Sequence, residues 1–275
     1  MRTAHTVKEV REFLESKTNI GLVPTMGALH AGHERLMEMA RRESDVLAVS
    51  IFVNPMQFGP NEDYSKYPRI LSHDLETCER NSVDLVFTPS VEEMYPVPQL
   101  TSVDVGRLSE HLCGKFRPGH FRAVATVVMK LLNIVQPQRA YFGEKDLQQL
   151  TIIRRMVADL NVNVTIIGVP VVREADGLAL SSRNKYLNGE ERKSAPVLYR
   201  ALQEAASRVR SGEKDASKVR EVAVAVLANF PLIRVEYLEI VDPDELQPVA
   251  TIAGPVRIAG AIWVGATRLI DNVAA

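Results

Sequence analysis

Two histidines three residues apart, His30 and His33, lie in Pro24-Thr25-Met26-Gly27-Ala28-Leu29-His30-Ala31-Gly32-His33. The segment follows an apolar run, 20–23, that reads as a short buried strand. It precedes 34–42, where Leu36, Met37 and Ala40 share the apolar side of a helix. A strand, a glycine-bearing loop and a helix start together suit the phosphates of a nucleotide. Gly27 lets backbone approach a ligand with no Cβ in the way. The helix start presents unpaired N–H groups and the positive dipole end. His30 and His33 would share one face of the first turn and donate to one triphosphate. The same pair would also serve as two metal ligands or as surface residues with no task. Zinc requires a third or fourth ligand, and no partner stands at suitable spacing nearby.

Five further positions carry usable chemistry. Gly143-Glu144-Lys145-Asp146 follows an apolar run and precedes a helical one. The glycine would allow a tight turn and the lysine would oppose phosphate or developing negative charge; an ordinary solvated turn has the same composition. Ser181-Ser182-Arg183-Asn184 joins two hydroxyls to a guanidinium, which suits phosphate oxygens. Gly177 and Gly189 would let it move as a lid, and a hydrophilic loop at a helix start would look alike. Asn54-Pro55-Met56-Gln57-Phe58 sets a carboxamide beside apolar side chains, as a small, partly apolar substrate requires. Arg117-Pro118-Gly119-His120-Phe121-Arg122 would bind an anion or form a basic surface loop. Asp74, beside His73, is either a carboxylate for phosphate-bound Mg²⁺ or a residue that compensates a helix dipole.

The elements that must position these groups alternate. Thr6-x-x-Glu9 is a capping box, after which Val7, Val10, Phe13 and Leu14 keep helical spacing. Strands are expected at 46–53, 83–87, 139–142 and 162–169, and helices at 72–81, 123–135 and 147–159. The helix at 123–135 has Lys130 as its charged position and reads as mostly buried. This order implies an α/β fold: a parallel sheet with helices on both faces, whose ligands sit outside the carboxyl ends of the strands. Thr25-Met26-Gly27, Phe52-Val53-Asn54 and Phe142-Gly143-Glu144-Lys145 all follow apolar runs and would meet at one crevice. After Glu174-Ala175-Asp176-Gly177 the texture changes. Asn188-x-x-Glu191 is a second capping box, opening a helix that runs to Arg210 and ends at Ser211-Gly212. A helix at 217–230 and strands at 234–241 and 256–264 complete a smaller α+β module.

Composition narrows the class. The chain has 275 residues, 46% of them hydrophobic, enough for one large domain and a smaller one. A net charge of −1, from 33 basic and 34 acidic residues, gives no electrostatic footprint for nucleic acid or an anionic membrane. No apolar run approaches the ~18 residues of a membrane span, and Met1-Arg2-Thr3-Ala4-His5 has no apolar leader pattern. Cys78 and Cys113 form no CxxC pair. A soluble, cytoplasmic protein is expected.

Combined, the motifs suit an adenylate-forming enzyme, which holds ATP and a carboxylate in line and neutralises charge as pyrophosphate leaves. Residues 24–33, 54–58, 117–121, 141–150 and 180–184, in that order over nearly the whole chain, resemble the landmarks of the pantoate–β-alanine ligase (pantothenate synthetase) family. That family lies within the HIGH-motif nucleotidyltransferase superfamily, whose aminoacyl-tRNA synthetases carry a KMSKS loop. Leu180-Ser181-Ser182-Arg183-Asn184 stands in that place without the lysine, so Arg183 and the serines would carry its phosphate contacts.

The resemblance implies a Rossmann-like doubly wound parallel sheet domain over 1–175, binding ATP and pantoate, and a smaller C-terminal α+β lid domain over 176–275 with the 181–184 loop. It implies ATP-dependent condensation of pantoate with β-alanine through pantoyl adenylate, giving pantothenate, AMP and pyrophosphate. The ATP site would comprise Pro24, Met26, Gly27, Ala28, Leu29, His30, Ala31, Gly32, His33, Gly143, Glu144, Lys145, Asp146, Val172, Leu180, Ser181, Ser182 and Arg183. The catalytic groups among them would be His30, His33, Lys145 and Arg183. Asn54, Gln57, Gln149, Val127, Val128, Arg117 and His120 would face pantoate or β-alanine. Asp74 would hold Mg²⁺, and a homodimer is implied. The alternatives are another HIGH-motif transferase acting on a phosphate acceptor, a tRNA-charging domain, which the charge balance disfavours, and a nucleotide-binding sensor without turnover.

Overall fold

The computed structural model describes residues 1–60 and 62–275. Two compact units are found: Met1–Val105, Arg117–Glu144 and Ile152–Pro170 form the first, and Gly106–Phe116, Lys145–Thr151 and Val171–Ala275 the second. The second unit thus takes in two earlier segments as well as the C-terminal part of the chain.

In chain order the elements as far as residue 169 are β1 (Arg2–Ala4), α1 (Val7–Leu14), β2 (Ile20–Thr25), α2 (Ala31–Glu43), β3 (Val46–Ile51), α3 (Leu71–Arg80), β4 (Leu85–Phe87), α4 (Val91–Met94), α5 (Leu112–Phe116), α6 (His120–Val135), β5 (Arg139–Gly143), α7 (Leu147–Asp159) and β6 (Thr165–Val169). Of these, α5 and the first turn of α7 belong to the second unit. Among the described residues, the first unit holds a sheet of six strands in the order β1-β4-β3-β2-β5-β6, with every neighbouring pair parallel. Its strands are near-continuous apolar runs because both faces are covered; β3 is buried from Val46 through Ser50. From β2 the chain steps through β3 to β4 on one side, then returns to β5 and β6 on the other. The order therefore reverses between β2 and β5, where an open α/β sheet binds its ligands. The β2–β5 ladder consists of Gly21↔Arg139 and Leu22↔Ala140 alone, so the carboxyl halves of these neighbours are not paired to each other.

Local chemistry explains the boundaries. The Thr6–Glu9 capping box starts α1. Helix α6 begins at His120, earlier than the expected 123, because Gly119 (φ 79°) turns the chain into it. Strand β6 begins at Thr165 rather than 162, since Asn161 (φ 51°) and a tight turn occupy the preceding residues.

The second unit continues with α8 (Gly189–Ser194), α9 (Val197–Arg210), α10 (Ala216–Ala228), β7 (Ile233–Val241), β8 (Arg257–Val264) and β9 (Thr267–Ala274). The strands form an antiparallel sheet, β7-β8-β9. Leu198, Ala201 and Leu202 of α9 share its core with Ile258 and Ile262 of β8. The single helix expected to end at Arg210 is two: Pro196 has no N–H to donate, and the helix breaks at Ala195-Pro196. Strand β9 is not among the expected elements. Asp271 and Asn272 interrupt its apolar pattern, yet both are buried. Among the described residues, no helix is long and apolar enough to cross a membrane.

Candidate active site

The loop leaving β2 holds its backbone amides tightly. Gly27 N–H donates to Thr25 Oγ1 at 3.1 Å. Ala28 and Leu29 N–H each donate to an oxygen of Asp74 at 2.8 Å. His30 is not in the first helical turn: it is the N-cap of α2, with extended backbone (φ −146°, ψ 174°). Its Nδ1 accepts from Gly32 N–H at 3.1 Å, and His33 Nδ1 accepts from His30 N–H at 3.3 Å. The N–H groups of His33 and Glu34 go to His30 O. The expectation of unpaired helix-start amides is therefore corrected for Gly32, His33 and Glu34, whose amides the chain satisfies itself. What the segment offers instead is imidazole. With both Nδ1 atoms accepting, the neutral rings carry their protons on Nε2 as donors, and the two ring centroids lie 4.1 Å apart. Pro24 sits within β2 opposite Ser50, and Ala31 and Gly32 open α2.

Gly27 has φ 80°, and a Cβ there would lie 2.8 Å from Asp74 Oδ2 and 3.0 Å from Ile51 Cγ2. Glycine is thus required by the backbone and by Asp74 itself. Asp74 is 1% exposed, and both of its oxygens accept loop amides. A carboxylate for Mg²⁺ must turn an oxygen toward solvent-borne phosphate and water, so Asp74 does not fit a magnesium ligand. Among the described residues no group of three His, Cys, Asp or Glu side chains is arranged to hold a metal. Cys78, one turn further along α3, is buried, which with the Asp74 charge pushes its thiol up to about 12 and leaves it unreactive.

A second cluster forms at the end of β3. Asn54, 1% exposed, caps the short turn Pro55–Gln57. Tyr95 OH donates to Asn54 Oδ1 at 2.9 Å, and Met56 N–H donates to the same oxygen at 3.3 Å. Asn54 Nδ2 donates to Gln57 Oε1 at 3.1 Å and to Ala123 O, in α6, at 3.5 Å. Gln57 Nε2 points to Met26 Sδ at 3.1 Å. Burial pushes the Tyr95 phenol up to about 12, so it remains a donor. Gln57 O takes hydrogen bonds from His120 Nδ1 at 2.8 Å and Arg117 Nη2 at 3.3 Å. Arg117 Nη1 lies 3.0 Å from His120 Nε2. Arg117 donates, so Nε2 accepts and the ring is neutral, with its proton on Nδ1. Arg117 also pairs with Glu62 through Nε at 2.7 Å and through Nη2. Arg117 and His120 are thereby part of one network around Gln57, not a free basic loop. Val127 and Val128 are buried in α6.

The remaining candidates lie in the second unit, except Gly143 and Glu144. Gly143 has no left-handed backbone, and a Cβ there would meet nothing within 4 Å. The tight turn expected of it is instead the 3₁₀ turn Glu144–Asp146 that follows. Lys145 Nζ lies 3.9 Å from Asp146 Oδ2, and Asn272 Nδ2 of β9 donates to Lys145 O at 3.2 Å. Val172 and Leu180 meet through Leu180 N–H to Val172 O at 3.0 Å. Ser181 caps the turn Ser182–Tyr186 by accepting Arg183 N–H at 3.3 Å. The base of this loop is fastened: Arg192 donates to Glu174 and Asp176, each at 2.6 Å, and Asn184 donates to Ala179 O at 3.1 Å. Arg173 forks onto Asp271 at 2.5 and 2.9 Å. Gly177 (φ 92°) packs on Tyr199, 2.6 Å from where a Cβ would stand, and Gly189 is the first residue of α8. Gln149 is half-buried. Its neighbour Gln148, which the sequence did not single out, is 5% exposed and donates to Leu108 O and His111 O, each at 2.8 Å.

Comparison with known proteins agrees with this architecture. Residues 2–274 match the family described as pantoate-beta-alanine ligase. A pantothenate synthetase of Thermotoga petrophila is 53% identical over 276 residues, covering 99% of each chain. The crystal structure of pantothenate synthetase from Thermus thermophilus superposes with a TM-score of 0.96 at 50% identity, covering 99% of both chains. The pantoate-beta-alanine ligase of Francisella tularensis, solved as a complex with beta-gamma ATP and beta-alanine, gives 0.82 at 36% identity, covering 99% of this chain and 97% of its own. With a match from residue 2 to residue 274 and relatives above half identity at full length, the chain belongs to the pantoate–β-alanine ligase family.

Proposed function

We propose that this chain is the ligase that joins pantoate to β-alanine at the expense of ATP, releasing pantothenate, AMP and pyrophosphate. A carboxylate oxygen of pantoate attacks the α-phosphorus of ATP, and the bond from that phosphorus to pyrophosphate breaks. The amine of β-alanine then attacks the acyl carbon of pantoyl adenylate, the acyl–oxygen bond breaks, and AMP leaves as the new amide loses a proton. The observation that carries the reading is the reciprocal capping of His30 and His33 at the carboxyl end of β2. It ties down Nδ1 of each ring, which leaves Nε2 as the proton-bearing atom of each neutral imidazole, at the strand end where a doubly wound sheet binds nucleotide. Fixed donors that meet charge as it develops, without reorganising, are the main source of rate in such a transfer.

In this reading Lys145, Ser181, Ser182 and Arg183 are assigned to phosphate oxygens by charge and hydroxyl chemistry, Arg183 by its bidentate fork. Gly143, Glu144, Asp146, Val172 and Leu180 complete the nucleotide contacts. Gln57 and Gln149 hold pantoate, Val127 and Val128 pack on its methyl groups, and Arg117 and His120 serve the approach of β-alanine. Magnesium enters as MgATP, carried on the phosphates. Residues 176–275 act as a lid. The enzyme works as a homodimer in the cytoplasm. Two free, buried cysteines support a reducing compartment, and sedimentation measures the assembly.

ATP–pyrophosphate isotope exchange tests the chemistry. Exchange that requires pantoate and proceeds without β-alanine is expected. Folded, ATP-binding protein with no such exchange would refute the adenylate and favour transfer to a phosphate acceptor.

A further inference from the structure

We propose that Asn54 is a positioning residue that sets the polarity of the Gln57 amide, so that Gln57 presents a donor to its ligand and selects a carboxylate oxygen. A carboxamide can be turned end for end at little cost, and only its hydrogen-bond partners decide which end faces where. At Asn54 both ends are decided by backbone. Met56 N–H can only donate, which makes the atom it meets at 3.3 Å the oxygen. Ala123 O can only accept, which makes the atom it meets at 3.5 Å the nitrogen. With Asn54 so fixed, Nδ2 must donate to Gln57, and the Gln57 atom at 3.1 Å is Oε1. Gln57 Nε2 is left on the outer end, where it meets the thioether of Met26. Sulfur is a weak acceptor, and a carboxylate oxygen displaces it with a stronger, charge-assisted bond.

The polarity thus passes from two backbone groups through a buried asparagine to a half-buried glutamine beside the β2 loop. The Gln57 main chain is held as well, through its carbonyl, by His120 and Arg117. This inference rests on the proposed reaction for the identity of the acids. Both acids offer carboxylate oxygens: pantoate's is read in the exchange half-reaction, and β-alanine's only in the full reaction.

Asn54→Asp is the decisive variant. Aspartate accepts from Met56 N–H as before but has no donor for Gln57, whose amide must turn over and present Oε1. Losing a charge-assisted bond and facing a carboxylate with an oxygen should raise KM for the acid by about 10–100-fold, with KM for ATP near wild type. A rise in the exchange assay assigns the oxygen to pantoate, and a rise confined to the full reaction assigns it to β-alanine. Asn54→Ala, which leaves the Gln57 amide unoriented without burying a charge, should raise the same KM several-fold and serves if the aspartate variant does not fold. An unchanged KM for both acids in a folded variant, alongside normal wild-type exchange, would overturn the inference. Absence of exchange in the wild type would instead refute the underlying reaction.

Discussion

The carboxylate of Asp74 meets the backbone N–H of Ala28 at 2.8 Å across 46 residues of sequence, and its other oxygen takes Leu29 N–H. Ala28 has a left-handed backbone (φ 52°), a strained state that persists only when surroundings enforce it. Asp74 is the enforcing group. Asp74→Ala strands two buried amides, so unfolding should become easier by about 2–4 kcal/mol, and KM for ATP should rise. The magnesium concentration for half-activity at saturating ATP should stay put. If it shifts while urea unfolding does not, Asp74 is a metal ligand and the anchoring role is wrong.

Gly27 is bound to the same carboxylate by space. Gly27→Ala combines a positive φ with a Cβ 2.8 Å from Asp74 Oδ2 and should cost about 1–3 kcal/mol. Since both changes disrupt one contact, the double variant with Asp74→Ala should be less destabilised than the sum. Strict additivity in a denaturation cycle would show that the two residues act separately.

Removal of His33 or Lys145 addresses the transfer itself. Each alanine variant should lose about 10²–10³-fold in kcat, the scale of one transition-state donor. For His33→Ala the loss includes a loosened cap on His30 N–H, so His33→Asn, which can still accept that N–H, should recover loop stability without recovering rate. A folded variant with near wild-type turnover would remove that residue from the mechanism.

The Glu62–Arg117 pair predicts an acid-side dependence. Burial pushes the Glu62 carboxyl up, but the hydrogen bond and charge of Arg117 outweigh it, so the value falls below the ordinary 4.5. A depressed carboxylate stabilises the fold fully above its unfolded value, and the contribution fades as pH drops through the folded one. Melting temperature should therefore decline more steeply for wild type than for Glu62→Gln between about pH 5 and about pH 3. Parallel curves would mean the pair contributes nothing.

Much of the sheet is legible in sequence because buried parallel strands are written as apolar runs with glycine and proline at their ends. The run ending at Val23 and the helix at 147–159 are read nearly residue for residue. Helix α9 is misread because Asn188 and Glu191 announce one helix start clearly, while Pro196 marks a second within the same apolar period. Strand β9 is hidden by Asp271, whose charge is met by Arg173 from 98 residues away. Within the candidate site, the loop at 24–33 is visible from its residue types. The work of Asp74, Tyr95 and Gln148 is not, since each serves backbone or side chains far off in sequence. The local pattern around Asp74, an acid in the first turn of a helix, describes a dipole and hides an anchor.

The sparse pairing of β2 with β5 bears on how the chain is made. Ile20 N–H donates to Gln138 Oε1 at 2.6 Å, a contact spanning 118 residues. During synthesis β2 gains β3 early, yet its other edge finds no strand until residues beyond 138 leave the ribosome. For that interval the nascent sheet carries an open, apolar edge on the strand that ends up at its centre, and such edges recruit other chains. Fragments stopping short of β5 should therefore clump, and a chaperone that shields strand edges should raise the yield of complete protein.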